Sequence, residues 1–344
     1  MKSEVALVGD IGGTKTLVAL ASRDESGRLR IHGETRYESR DHPGLEPIVR
    51  DYLARTLGPT APPPARAAFG LAGPVVGRRW TAPNLPWEIH GPVLEAALGM
   101  RAGSILMLND FLAAGYGIAE LGDEDARTLQ EGVPEPRGPR AILGAGTGLG
   151  QAVLFWGEDG YEARATEGGH GDFAARKERE WRLHRFLRTR HRRVSVERVV
   201  SGPGLRAIYD FLLHDEEVPE PAAIRTAMAS EDPAAVIASH GLAGSDRTCV
   251  EALDMFVSAY GAEAGNLALR AVATGGLWVG GGIAPRILEK MTDGTFMAAF
   301  LDKGRLSGYL RNVPVRLIVN LRVGLLGAAA RALHAAPTKD CDHG

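Results

Sequence analysis

Asp10-Ile-Gly-Gly-Thr-Lys15 stands between two short apolar runs, and a related arrangement returns in mid-chain as Gly144-Ala-Gly-Thr-Gly-Leu-Gly150. Residues 5–9 and 17–21 read as a buried strand and its hairpin partner around the first turn, and residues 140–144 and 151–156 repeat the layout around the second. A turn without Cβ atoms lets backbone N–H groups approach an anion closely, and a threonine hydroxyl adds one more donor. Two such turns, the first led by an acidic residue, suggest a phosphate clamp arising from an internal duplication. Each turn alone is equally well a tight β-hairpin. Neither is a P-loop, since no Gly-x-x-x-x-Gly-Lys-Ser/Thr occurs, and neither is the Gly-x-Gly-x-x-Gly that opens a dinucleotide-binding βαβ unit.

A length of 344 residues suggests two domains, and an apolar fraction of 44% is enough for a full core in each. The formal net charge of −2 provides no field to recruit nucleic acid or an anionic membrane. Cys249 and Cys341 lie far apart, so a disulfide framework and a cysteine-rich zinc site are both excluded, and a reducing cytoplasm is expected. No secretory leader and no apolar run of transmembrane length is evident, so the expected protein is soluble.

Further strands are expected at residues 29–37, 67–71, 104–108, 277–279 and 315–319. Helices are expected at 45–57, from about 111, and at 176–193, 204–213, 248–273 and 323–333. The stretch 131–139, rich in Pro, Gly and charge, reads as a domain crossover. The last helix is expected to pack back on the first domain. This divides the chain into a smaller α/β domain (1–120 with 321–336), a larger one (121–320) and a flexible tail (337–344). The basic stretch 176–193 reads as a solvated amphipathic helix with Trp181 and Phe186 turned inward; stacking of these rings on nucleic-acid bases is the weaker reading.

Asp110 is the leading catalytic candidate, because it follows an apolar strand at the end where open α/β sheets present side chains to ligands. Its structural alternative is the N-cap of the next helix. Asn109 beside it, Asn84 in Pro83-Asn-Leu-Pro-Trp87, and Thr166-Glu-Gly-Gly-His170 are of the types that read hydroxyl groups. Glu167 and His170, separated by two glycines, suit a loop bent around a polyol. A metal pair and a purely structural turn also stand open. Glu197 is either a further member of this site or a solvated helix residue. Gly280-Gly-Gly-Ile-Ala-Pro285 follows a very short strand, where backbone lies against either a flat group such as adenine or ribose, or a packed helix.

Six motifs in order, Asp10-Ile-Gly-Gly-Thr-Lys15, Leu108-Asn-Asp-Phe111, Gly144-Ala-Gly-Thr-Gly148, Thr166-Glu-Gly-Gly-His170, Ser201-Gly-Pro-Gly204 and Gly280-Gly-Gly-Ile283, closely resemble the bacterial glucokinase family over residues 5–332. The resemblance implies an α/β, two-domain actin-like ATPase (ribonuclease H-like) fold with mixed sheets and an interdomain cleft. It also implies ATP with Mg2+ as donor, glucose as acceptor and a homodimer. By motif, Asp110 would be the general base, and Asn84, Asn109, Asp110, Glu167, His170 and Glu197 would contact glucose. Asp10, Gly12, Gly13, Thr14, Lys15, Gly146, Thr147 and Gly148 would contact phosphate or Mg2+, Asp10 reaching the metal through water, and Gly281 and Gly282 would meet the adenosine. A related family of repressors and kinases usually carries a zinc-holding cysteine cluster after its Glu-x-x-His motif. Here Gly171-Asp-Phe-Ala174 continues without cysteine, which places the chain in the non-zinc branch. A repressor is further disfavoured because the first motif begins at Asp10, leaving no room ahead of it for a DNA-binding domain. The expected reaction is transfer of the ATP γ-phosphoryl group to the glucose 6-hydroxyl. Another hexose, polyphosphate as donor, a sugar-independent actin-like ATPase and an idle sugar sensor are the alternatives.

Overall fold

Both glycine turns join antiparallel strands, one hairpin in each of the two larger sheets. The computed structural model describes residues 4–82 and 85–334. The chain divides into two units, Met1–Gly122 with Arg322–Gly344, and Asp123–Leu321.

The sheet of the first unit contains β1 (Val5–Ile11), β2 (Lys15–Arg23), β3 (Leu29–Glu38), β4 (Arg66–Leu71) and β7 (Ile105–Asn109); β5 (Arg79–Thr81) and β6 (Glu88–His90) form a separate small ribbon. Its order is β3-β2-β1-β4-β7, antiparallel through the first three strands and parallel from β1 to β7. Alternation along β1 decides what each face does. Leu7 and Ile11 join a core with Ile48, Val49 and Tyr52 of the helix Leu45–Thr56. Ala6 and Val8 face the other way, onto Leu325, Ala328 and Ala329 of the helix Val323–Ala332. Asp10 belongs to this second face.

The second unit repeats the plan. Its strands are β8 (Ala126–Gln130), β9 (Arg140–Ala145), β10 (Leu149–Gly157), β11 (Gly160–Thr166), β12 (Gly276–Gly280) and β13 (Val315–Ile318), in the order β11-β10-β9-β12-β13-β8. Three antiparallel strands again lead into two parallel ones, with β8 added antiparallel at the edge. This shared order is the duplication read from the two glycine turns. The helix Arg247–Ala271 buries Phe256, Val257, Tyr260, Ala264 and Leu267 in this unit's core.

Two expectations fail here. The stretch 131–139 is not a crossover: Val133 N–H bonds to Asn312 O at 2.7 Å, inside the second unit, and the units divide at Gly122/Asp123 and Leu321/Arg322. The basic helix spans only Glu178–Arg188, and Trp181 is 54% exposed. Its inward stripe is Glu180, Leu183, Phe186 and Leu187, at helical spacing, and the buried Glu180 pairs with Arg176 at 2.6 Å. Trp181, one position on, is rotated to solvent, while Phe186 is buried. Cys249 is buried and Cys341 lies outside the described residues. Among the described residues no helix is long and apolar enough to cross a membrane.

Candidate active site

β7 ends at Asn109 and the helix Asp110–Gly117 begins at once. Asn109, not Asp110, is the N-cap: its Oδ1 accepts from Phe111 N–H at 2.9 Å and Leu112 N–H at 3.1 Å. Its Nδ2 donates to Gly73 O at 3.0 Å, leaving one amide hydrogen for a ligand. Asp110 Oδ1 shares the Phe111 N–H at 2.9 Å, while the Leu112 N–H goes to Asn109. Burial pushes the Asp110 pKa up to about 6, and the charge of Asp10 adds to the rise against hydrogen bonds from the backbone of Phe111 and Gly73.

Asp10 reaches the same face two strands away. Strand register pairs Asp10 with Gly70 of β4, and Gly70 with Leu108 of β7, so the intervening strand contributes no side chain at that level. A Cβ placed on Gly70 or on Gly324 would lie 3.9 Å from the Asp10 carboxyl group. Gly324 is in the first turn of the helix Val323–Ala332, whose N-terminus favours a negative charge. Burial pushes the Asp10 pKa up, opposed by Lys15. The Gly12–Lys15 turn is closed by Gly12 N–H to Lys15 O at 2.9 Å, while Thr14 and Lys15 are exposed. Ser39 buttresses it from below, its Oγ donating to Gly12 O at 2.8 Å and its N–H to Thr14 O at 2.9 Å. No local sequence pattern marks Ser39 for that task.

In the second unit three expected residues converge. His170 Nε2 is 3.8 Å from Glu167 Oε2, and its Nδ1 is 3.9 Å from Glu197 Oε1. Glu197 is anchored by Leu149 N–H, which donates to Oε2 at 2.9 Å, so it is no solvated helix residue. The side chains of Glu167 and His170 are 70% and 56% exposed, open to a ligand. The intervening glycines have a steric cause. A Cβ at Gly168 would meet Gln151 Oε1 at 2.3 Å, and one at Gly169 would meet Leu149 O at 2.2 Å. Gly148 is similarly confined, a Cβ there falling 2.6 Å from Glu197 Oε2.

The turn Gly146–Gly148 is tied to the helix Gly202–Asp215, Gly202 N–H donating to Gly146 O at 2.8 Å; Thr147 at its tip is exposed. Gly281 has φ of +80° and lies so close to β9 that a Cβ would be 2.5 Å from Ala145 O. Cβ atoms on Gly146 and Gly282 would meet nothing within 4 Å, so backbone is open to a flat or anionic group at both. Asn84 lies outside the described residues. Among the described residues no group of three or more His, Cys, Asp or Glu side chains is placed to hold a metal ion.

A family model described as Glucokinase matches residues 7–335. The chain belongs to the glucokinase family. A curated glucokinase from Nostoc sp. (strain PCC 7120) is 44% identical over 336 residues, spanning 94% of this chain and 97% of that relative. The crystal structure of a glucokinase from an Antarctic psychrotroph superposes with a TM-score of 0.82 at 30% identity, covering 96% of this chain and 98% of the other. A ROK family glucokinase from Streptomyces griseus, crystallised with glucose and AMPPNP, superposes at 0.61 with 22% identity, covering 94% and 98% of the two chains. The fold of this glucokinase-family chain is thus the mixed-sheet α/β architecture of the actin-like ATPases.

Proposed function

We propose that this chain transfers the γ-phosphoryl group of ATP to the 6-hydroxyl of glucose, with Asp110 as general base. The observation that carries the reading is a carboxylate at a strand end, held by the Phe111 N–H at 2.9 Å and with its pKa lifted to about 6 by burial and by Asp10. A base poised near working pH accepts the hydroxyl proton as the oxygen attacks phosphorus, and the rest of phosphoryl transfer is positioning and charge neutralisation. The glucokinase names of its relatives support the reaction, and the Streptomyces enzyme's glucose and AMPPNP, an ATP analogue, support both substrates.

Glu167, His170 and Glu197, with Asn109, Asp110 and Asn84, would take the sugar hydroxyls. The turns Gly12–Lys15 and Gly146–Gly148 would hold phosphates, and Gly281 and Gly282 the adenosine. Mg2+ commonly binds through one or two carboxylates plus substrate phosphates and water, which suits Asp10, a buried carboxylate whose desolvation Lys15 offsets in part. When bound, the ion neutralises phosphate charge. A homodimer in the cytoplasm completes the proposal.

A panel of hexoses with the purified enzyme tests the substrate. Glucose should give the highest kcat/KM among glucose, mannose, fructose and N-acetylglucosamine; a clear preference for another sugar redirects the assignment. Glu167→Ala should raise the glucose KM roughly tenfold to a hundredfold and leave the ATP KM within about twofold, because it strands ligand hydroxyls without partners. A main effect on the ATP KM would remove Glu167 from the sugar site.

Asp110 must be ionised to accept a proton. With its pKa at about 6, kcat/KM should fall about tenfold per pH unit below 6 and level off above it. A profile flat from pH 5 to 8 would contradict its role.

A further inference from the structure

We infer that Tyr260 and Glu263, one turn apart on the helix Arg247–Ala271, are positioning residues: Tyr260 sets the two nucleotide loops against each other, and Glu263 sets the sugar turn through Gln151. This rests on the assignment of those loops proposed above.

Tyr260 is fully buried, its ring packed edge-on against Phe256 and Phe296. Its hydroxyl accepts from Ala145 N–H at 3.0 Å and donates to Gly280 O at 3.2 Å. Ala145 is the last residue of β9, before Gly146, and Gly280 the last of β12, before Gly281. The β9–β12 ladder ends where Gly280 pairs with Gly144. The phenol therefore adds one more rung beyond the ladder, at the point where both glycine loops depart. Burial pushes the Tyr260 pKa up, which keeps the hydroxyl a donor.

Glu263 is only 3% exposed and Gln151 1%. Gln151 Nε2 donates to Glu263 Oε1 at 2.9 Å, Asn266 Nδ2 donates to Oε2 at 3.1 Å, and Arg270 pairs with the same carboxylate. A carboxylate only accepts, so it fixes which end of the Gln151 amide faces it and directs the amide oxygen toward Gly168. That oxygen occupies the place a Gly168 Cβ would take, directly behind the turn that carries Glu167 and His170. A buried carboxylate is often no more stabilising than an apolar residue of the same size, so its presence calls for a directing role.

The helix cannot rotate to relax either contact. Cβ atoms on Gly261 and Gly265 would fall 2.1 Å from Phe296 O and 2.5 Å from Phe300 O of the helix Thr295–Leu301. Lys303 adds a third tie, its Nζ donating to Ala262 O at 3.0 Å.

The test uses the full chain and three variants: Tyr260→Phe, which keeps the packed ring; Gln151→Met, which keeps length but not the amide; and Glu263→Gln, which retains one oxygen for Gln151. KM for ATP and for glucose, calorimetric Kd for each, and the thermal midpoint are measured together. Tyr260→Phe should weaken ATP by about tenfold with glucose changed less than about twofold, and Gln151→Met should do the reverse. Glu263→Gln should lie between wild type and Gln151→Met for glucose. Unchanged constants, or both substrates weakened equally in each variant in step with the thermal midpoint, would overturn the inference. A wild-type chain without glucose-dependent turnover would instead defeat the proposed function, and the calorimetric constants would still decide the positioning claim.

Discussion

Replacing Asp110 with asparagine is expected to lower turnover by roughly 10²–10⁴-fold while the glucose KM changes by less than about threefold. Asparagine keeps the shape and can hydrogen-bond a hydroxyl, but it cannot take the proton. The loss should therefore fall on kcat. A second readout comes from stability. The folded pKa of Asp110 is raised from 3.8 to about 6, so its protonated form is the one the fold prefers. The stability tied to this proton is fully present below about pH 4 and is lost as pH rises through about 6. At pH 7.5 the wild-type chain carries an ionised carboxylate at a cost on the order of 2–3 kcal/mol, which the neutral amide avoids. Urea unfolding should find Asp110→Asn more stable than wild type at pH 7.5 and nearly equal to it at pH 4. A variant that is both inactive and less stable at pH 7.5 would mean the side chain is structural.

Gly327→Val is expected to cost roughly 3 kcal/mol or more, a large part of a typical domain's margin. A Cβ at Gly327 would sit 1.7 Å from Ala113 O, and one at Gly117 would sit 2.0 Å from Val323 O. The helices Asp110–Gly117 and Val323–Ala332 therefore cross backbone against backbone. Because the obstacle is main chain, no rotamer change relieves it, and the two helices must separate. Since one of them begins at Asp110 and the other presents Gly324 to Asp10, activity should fall with the thermal midpoint. Gly308→Ala is the control: its added methyl meets nothing within 4 Å, and its midpoint should move little. A Gly327→Val chain with a wild-type midpoint would show that this crossing is looser than described.

Much of the architecture is legible in the chain because backbone geometry demands particular residues. The two glycine turns, the strand running into Asn109-Asp110 and the paired glycines before His170 each answer a local constraint that glycine or a strand end satisfies. What stays hidden depends on partners distant in sequence. Gln151 and Glu263 are separated by 112 residues, and nothing local joins them. Asn109 and Asp110 both satisfy a capping pattern and both accept the Phe111 N–H, and it is the further bond from Leu112 N–H that makes Asn109 the cap. Trp181 reads as an inward aromatic until Arg176 is seen holding Glu180 in the buried position. Composition misleads at residues 131–139, where Pro and Gly serve a segment pinned to Asn312 rather than a linker. Gly117 and Gly327 read as weak points in helices, yet each is where another backbone passes.

ADP release from Mg-ATP, followed with and without glucose in the wild-type chain and in Asp110→Asn, is the most direct measurement. Glucose-dependent ADP that disappears in the variant is the predicted result. ADP formed equally without glucose, or undiminished in Asp110→Asn, would contradict a glucose kinase that uses this carboxylate as its base.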